Sequence, residues 1–297
     1  RPLSTAEADA LWPMLVLRTA VLIVSGAQQA VLDPDNDYIT AQSDDERRMF
    51  ELATSIPLDV MTAVIKADLG LAEPTPAVPV QSQLIAADRS SVVTLDLSAT
   101  SDLYDDAYDA AGVLPADVED EFAGSALQRG ASLAVTRFGE ARLCRAPRLS
   151  QDSPEVVATG VDLWTAADTD IAAPWDGEVI DGTASITVRG MDFELTMLGA
   201  TASRTGAVSA GDVVGRAPAR RRIWLSVRPA GAPAAPQFVA ADVAPGWLAY
   251  VRDPRPLLGL APLDQAGSDD LLARRDASFA PVQEFYYHTP PQIERGR

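Results

Sequence analysis

The chain has 297 residues, 47% of them hydrophobic, and a formal net charge of −18. That length exceeds one typical domain, and the acidic balance lacks the basic footprint that nucleic acid or an anionic membrane surface requires. Lys66, Cys144 and His288 are the sole residues of their types; a structural zinc site needs about four His or Cys ligands and a catalytic one about three, so neither kind can be built, nor can an internal disulfide.

Residues 4–71 read as three helices. Ser4-Thr5-Ala6-Glu7 is a capping-box signature, in which the serine hydroxyl accepts an amide and the glutamate reaches back. The helix that follows is apolar nearly all round (Leu11, Met14, Leu15, Leu17, Val21, Leu22, Val24), which predicts a buried helix. The stretch from Leu11 to Val24 is interrupted by Arg18 and is too short to span a bilayer; with no secretory signal pattern at Arg1, the expectation is a cytoplasmic protein without a membrane partner. Asp33-Pro34-Asp35-Asn36-Asp37 reads as a turn, because it lacks the glycine and the bidentate glutamate of a calcium loop. A polar helix is predicted over 43–54 and a third from Pro57, where proline suits a first turn. Lys66 lies on that third helix; a solvated lysine is expected there, rather than a Schiff base.

Proline at 74, 76 and 79 predicts a stiff linker over 73–91. A small α/β segment is expected over 92–150, with a strand at 92–97 and an acidic run from Asp102 to Glu121. That run reads as a solvated helix face, or else as a docking surface for an arginine-rich partner or for another copy of the chain. Residues 131–149 read as a hairpin turning at Phe138-Gly139-Glu140, basic on its second half. From 157 to 258 the pattern is β-rich, with turn signals at WDG (175–177), DG (181–182) and RGMD (189–192). No GxGxxG or GxxxxGK[ST] phosphate loop occurs. A helix is predicted from Ser268, followed by the Pro-rich HTPPQIERGR, where His288 reads as part of a connecting segment rather than of a catalytic triad.

Three resemblances lie along the chain in order. LWPMLVLRTAVLIVSGAQQAVLDPDNDYI with FELATSIPLDVMTAVIKADLGL, over residues 1–72, resembles the C-terminal helical end of aminoglycoside-phosphotransferase-like kinases, beyond their HxD loop and metal-binding aspartate. GVDLWTAADTDIAAPWDG (160–177), GAVSAGDVVGR (206–216), RIWLSVR (222–228) and DPRPLLG (253–259) resemble blocks of lysostaphin-type murein endopeptidases, over 151–262. The last 30 residues resemble the opening segment of class III aminotransferases, which include pyridoxal-phosphate phospho-lyases.

The peptidase resemblance implies a zinc held by two histidines and an aspartate, with a further histidine activating water. Its H-x-G-x-D falls on 158–162, so Ala158 stands at the histidine position and Asp162 survives. Its H-x-H falls on Arg222 and Trp224, and its remaining histidine falls near Leu198. One carboxylate cannot hold zinc. No catalytic, cofactor-binding or metal-binding residue is therefore assigned, and the five positions read as a degenerate former metal site. Either Arg222 and Trp224 plug it, or they form a repurposed pocket in which the guanidinium grips an anion and the indole stacks on a ring.

The resulting expectation is an α+β chain: an N-terminal helical segment, a lysostaphin-like β barrel, and a connecting helix over 263–297. Its expected role is a non-catalytic connector in a fusion of a kinase with a pyridoxal-phosphate aminotransferase or phospho-lyase; the alternative is a small-ligand module. ATP/Mg and pyridoxal phosphate are expected only in flanking domains. The expected partners are those domains or subunits, with a homo-oligomer also open.

Overall fold

The computed structural model describes residues 2–35, 37–72, 77–110, 112–146 and 153–261. The predicted C-terminal helix, His288 and the aminotransferase-like segment lie outside them, as do Pro74 and Pro76. The compact unit that holds the described residues ends at Ala261.

The fold is α+β. Three helices open it: α1 (Thr5–Leu32), α2 (Asp37–Thr54) and α3 (Leu58–Asp68). The capping box at Ser4 forms in full, with the hydroxyl accepting from the Glu7 amide and the Glu7 carboxylate accepting from the Ser4 amide. Lys66 is not merely solvated; its Nζ lies 2.7 Å from Asp9 and ties α3 to α1. The expected burial of α1 is overturned. Polar α2 and short α3 cover only one stripe of it, so Met14 is 66% exposed and Leu17 64%. The helix also runs on to Leu32, and by length and composition it could cross a membrane, so shortness does not exclude a span.

After α3 come β1 (Val92–Thr94), α4 (Val118–Gln128), β2 (Leu133–Val135), β3 (Glu155–Ala158), β4 (Val161–Thr165) and β5 (Thr169–Ala172). Then follow β6 (Gly177–Asp181), β7 (Ser185–Arg189), β8 (Phe193–Leu198), β9 (Thr201–Ala202), β10 (Gly206–Val208), β11 (Val213–Ala217), β12 (Ile223–Pro229), β13 (Phe238–Ala240) and α5 (Ala244–Tyr250). Eight strands form one sheet in the order β1-β2-β4-β12-β8-β7-β6-β10; β5-β11-β9 and β13-β3 make two smaller ones. None of these sheets closes on itself, so the described strands form open sheets where a barrel was expected.

Sequence and structure diverge at three further places. Residues 92–146 share the large sheet with the following block, because β2 runs parallel to β1 and antiparallel to β4. Over the described residues 131–146 the expected 131–149 hairpin does not form: after Gly139 (φ 70°) the chain makes a single bridge, Ala141 to Val157, and a 3-10 turn at Leu143–Arg145. DPRPLLG, expected as a closing strand, is a 3-10 turn at Arg255–Leu258 that ends on left-handed Gly259. Its two prolines remove strand donors.

Alternation along the strands decides what reaches each face of the sheet. Val161, Leu163, Leu195, Met197, Ile223, Leu225 and Val227 enter the main core with Ile186 and Val188. The intervening residues of β4, β8 and β12 face the other way. There α4 packs with Ala123, Ala126 and Leu127 against Ala134 and Trp164.

Candidate functional site

The face of the large sheet opposite the main core carries four of the five positions of the expected former metal site, and Ala158 lies on β3 in the smaller β13-β3 sheet. Trp224 on β12 is directly opposite Asp162 on β4 and Leu198 on β8, so the three stand in one cross-strand row, and directly opposed residues project on the same side. Arg222 is two residues before Trp224 and shares that side. Ala158, fully buried, is paired with Phe238, whose ring lies 5.6 Å from that of Trp224.

Burial separates Trp224 from Arg222. Trp224 is only 4% exposed. Gly160 makes room for it, since a Cβ there would come within 2.7 Å of the indole and 2.2 Å of the Leu225 carbonyl. The Arg222 guanidinium lies at the rim instead. It stacks 5.3 Å from the Trp164 ring and reaches Glu119 at 2.6 Å and Asp120 at 3.1 Å. The Trp164 indole N–H donates to Asp120 at 2.7 Å.

The residue in contact with Asp162 is Arg142. Its Nη1 donates to Asp162 Oδ2 at 2.5 Å and to Glu119 Oε1 at 3.0 Å, and its Nη2 donates to the Thr136 hydroxyl at 2.8 Å. The same hydroxyl accepts the Asp162 amide at 2.8 Å. The Phe238 ring lies 5.0 Å from the Arg142 guanidinium and 4.3 Å from that of Arg145. Arg142, Glu119 and Asp162 are all buried. The position next to Asp162 therefore holds a guanidinium cation.

Opposing effects set the charges here. Burial raises the Glu119 carboxyl, but Arg142, Arg222 and Arg145 together outweigh it and hold the group at about 2. Burial also disfavours charge on Arg142, yet Asp162 and Glu119 outweigh it and keep the guanidinium cationic. For Asp162 burial wins over the pull of Arg142, and its carboxyl sits above the ordinary range. Burial pushes Glu140 up to about 8; its Oε1 accepts the Leu97 amide at 2.9 Å, and Arg142 Nε lies 4.0 Å from Oε2. The Cys144 thiol, 3.2 Å from Glu119 Oε1, is pushed to about 11 by burial and by that carboxylate.

The donor set does not fit zinc. Among the described residues there is no group of three or more His, Cys, Asp or Glu side chains that could hold a metal. The neighbours of Asp162 along its row are an indole and an isobutyl group, and the carboxylate itself is taken by Arg142. Cys144, protonated at neutral pH, is a poor nucleophile.

Glu119, Asp120, Thr136, Glu140 and Arg142 are the members that the sequence reading missed. Glu119 is buried, which corrects the reading of the 102–121 run as wholly solvated. The arginines it meets, Arg142, Arg145 and Arg222, belong to this same chain. The available signal was Glu140 and Arg142 in alternation between Phe138 and Leu143. Comparison of the chain with protein-family models and with curated proteins finds no match.

Proposed function

We propose that the chain is a non-catalytic connector and scaffold, with a β region of lysostaphin-like descent whose metal position is sealed by an internal guanidinium. The observation that carries this reading is Arg142, seated on Asp162 and Glu119 with its charge compensated. The alignment of Leu198, Trp224 and Asp162 in one row supports the lysostaphin-like assignment, since the peptidase resemblance maps its ligands onto those three positions. In this reading the parent carries a kinase using ATP/Mg on one side and a pyridoxal-phosphate enzyme on the other. Tethering keeps a phosphorylated intermediate near the next active site by raising its effective concentration. The scaffold works in the cytoplasm and needs no nucleic acid.

The alternative, a small-ligand module, is less well supported. Trp224 is buried and offers no face for stacking. An anion approaching Arg222 would have to displace Glu119 and Asp120. Thermal unfolding in the presence of phosphoethanolamine, inorganic phosphate and, after chelation, zinc separates the readings. The scaffold reading expects no shift from any of them. A stabilisation by phosphate that Arg222→Ala abolishes would install the binding reading, and stoichiometric zinc retention would install a metal site. The connector role itself is tested by the denatured mass of the native polypeptide: a mass well above 31.5 kDa is expected, and one at that value overturns the fusion.

A further inference from the structure

Five buried side-chain atoms that find no protein partner fall on four neighbouring residues at one end of the large sheet: Arg137 Nε, Glu140 Oε2, Arg142 Nε, and both Nε and Nη1 of Arg255. Glu140 stands between two of the arginines, with Arg137 Nε 4.0 Å from one carboxyl oxygen and Arg142 Nε 4.0 Å from the other. Arg255 arrives from the 3-10 turn at 255–258, whose Leu257 and Leu258 enter the main core with Leu133 and Val135 of β2. That anchorage draws Arg255 in until it is only 4% exposed. The side-chain hydrogen bond it makes runs from Nη2 to the Thr94 hydroxyl at the end of β1, at 3.4 Å. A further guanidinium borders the same turn, since a Cβ at Gly259 would lie 3.1 Å from Arg89 Nη2.

Four of the five atoms are guanidinium donors, and arginine has no acceptor to offer in return. The nearby carboxyl groups are engaged elsewhere. Asp96 lies 2.8 Å from Arg137 Nη1 and accepts the Ser98 amide at 3.0 Å. Asp253 accepts the Arg255 amide through Oδ1, and Glu140 accepts the Leu97 amide through Oε1. Burial is the largest influence on Arg255 and pulls it below the ordinary arginine range; Asp253 and Glu140 favour its charge, and Arg137 opposes it. A buried cation whose donors go unmatched is costly.

We infer that Arg255 and Arg137 together hold a small inorganic anion, of halide size, at this end of the sheet. A buried water fits less well, because it must also donate its own protons to acceptors, and the unmatched atoms here are nearly all donors. A halide accepts from several donors at once and supplies the negative charge that the buried guanidinium lacks. Enclosure sets the size. With Arg255 almost wholly covered beside Leu257 and Leu258, a monatomic ion fits the place better than a phosphate or an organic acid.

Thermal unfolding of the full chain tests the site, with sodium chloride or bromide replacing sodium gluconate at constant ionic strength so that general screening is held fixed. The midpoint should rise and saturate, by about 3 °C at roughly tenfold excess of halide over its Kd. Arg255→Met and Arg137→Gln should each abolish that rise. The second variant keeps the test decisive if the first fails to fold, because the Arg137 side chain is 36% exposed. Arg216→Gln, at an exposed arginine of β11, should keep the full rise. Crystals grown in bromide should show an anomalous peak between Arg137 and Arg255. The same midpoint in halide as in gluconate, or no bromide peak beside Arg255, overturns the assignment in favour of a buried water. A rise that Arg137→Gln leaves intact overturns it in favour of halide bound elsewhere.

Discussion

At the scale of single residues, Arg142 is the substitution most sharply predicted. Removing one member of a buried ion cluster leaves uncompensated charge, which typically costs about 3–5 kcal/mol. Arg142→Met should therefore destabilise by that amount in denaturant unfolding, because the buried Asp162 carboxyl and Thr136 hydroxyl lose their guanidinium partner, while Glu119 retains Arg145 and Arg222. The double variant Arg142→Met with Asp162→Asn should lose less than the two single variants added together. Simple additivity of the two single losses would show that the residues are not coupled. Glu140 makes the opposite kind of prediction. Its native carboxyl titrates at about 8 against an ordinary 4.5, so the native state holds a proton that the unfolded state releases. Its contribution to stability is full below the lower value and falls as pH rises through the interval. Glu140→Gln keeps an acceptor for the Leu97 amide and removes the titration. Relative to wild type, its stability should rise from pH 5 to pH 8 by something on the order of 2–4 kcal/mol; a parallel pair of pH profiles would refute this. Glu119 acts in the other direction, stabilising above its ordinary range and losing that contribution as pH falls towards 2.

At the scale of elements, close approach sets the tolerance of two glycines. A Cβ at Gly160 would lie 2.2 Å from the Leu225 carbonyl, and one at Gly246 would lie 2.4 Å from the Val60 carbonyl, where α5 meets α3. Neither backbone can move without its neighbours. Gly160→Ala and Gly246→Ala should each lower stability by about 1–3 kcal/mol, whereas Gly124→Ala on α4, with open space around it, should be neutral or stabilising when measured by thermal unfolding.

The sequence and the elements agree where local chemistry decides the outcome. The Ser4 capping box, the DG turn between β6 and β7 and the RGMD turn between β7 and β8 all form where the residues predict. Three positions aligned by motif alone, Asp162, Leu198 and Trp224, also stand in one cross-strand row, because register carries a one-dimensional pattern across the sheet. What the sequence could not disclose depends on long-range pairing. Glu119 and Arg142 are 23 residues apart, and their meeting requires α4 to cross the sheet face beside Asp162. The exposure of α1 was illegible for a related reason. All-round apolarity is consistent with burial, but α2 is too polar to cover more than one side, and only tertiary packing reveals which side remains bare.

At the scale of the whole molecule, two kinds of electrostatics coexist and respond differently to salt. The net charge of −18 makes the compact state repel itself, and exposed pairs such as Arg216–Asp170 and Arg204–Asp212 lie in water, where each is worth little. Mobile ions screen the repulsion over a Debye length of about 10 Å at 0.1 M. The Arg142 cluster is buried and is screened much less. Raising salt from low to moderate ionic strength should therefore raise the thermal midpoint of wild type, because the acidic repulsion it removes extends over the whole surface. The deficit of Arg142→Met should stay nearly constant over the same range, since the cluster it breaks is sheltered from the ions. A deficit that shrinks with salt would mean that water and ions reach Asp162, and the guanidinium would then sit in an open cleft rather than seal a closed one.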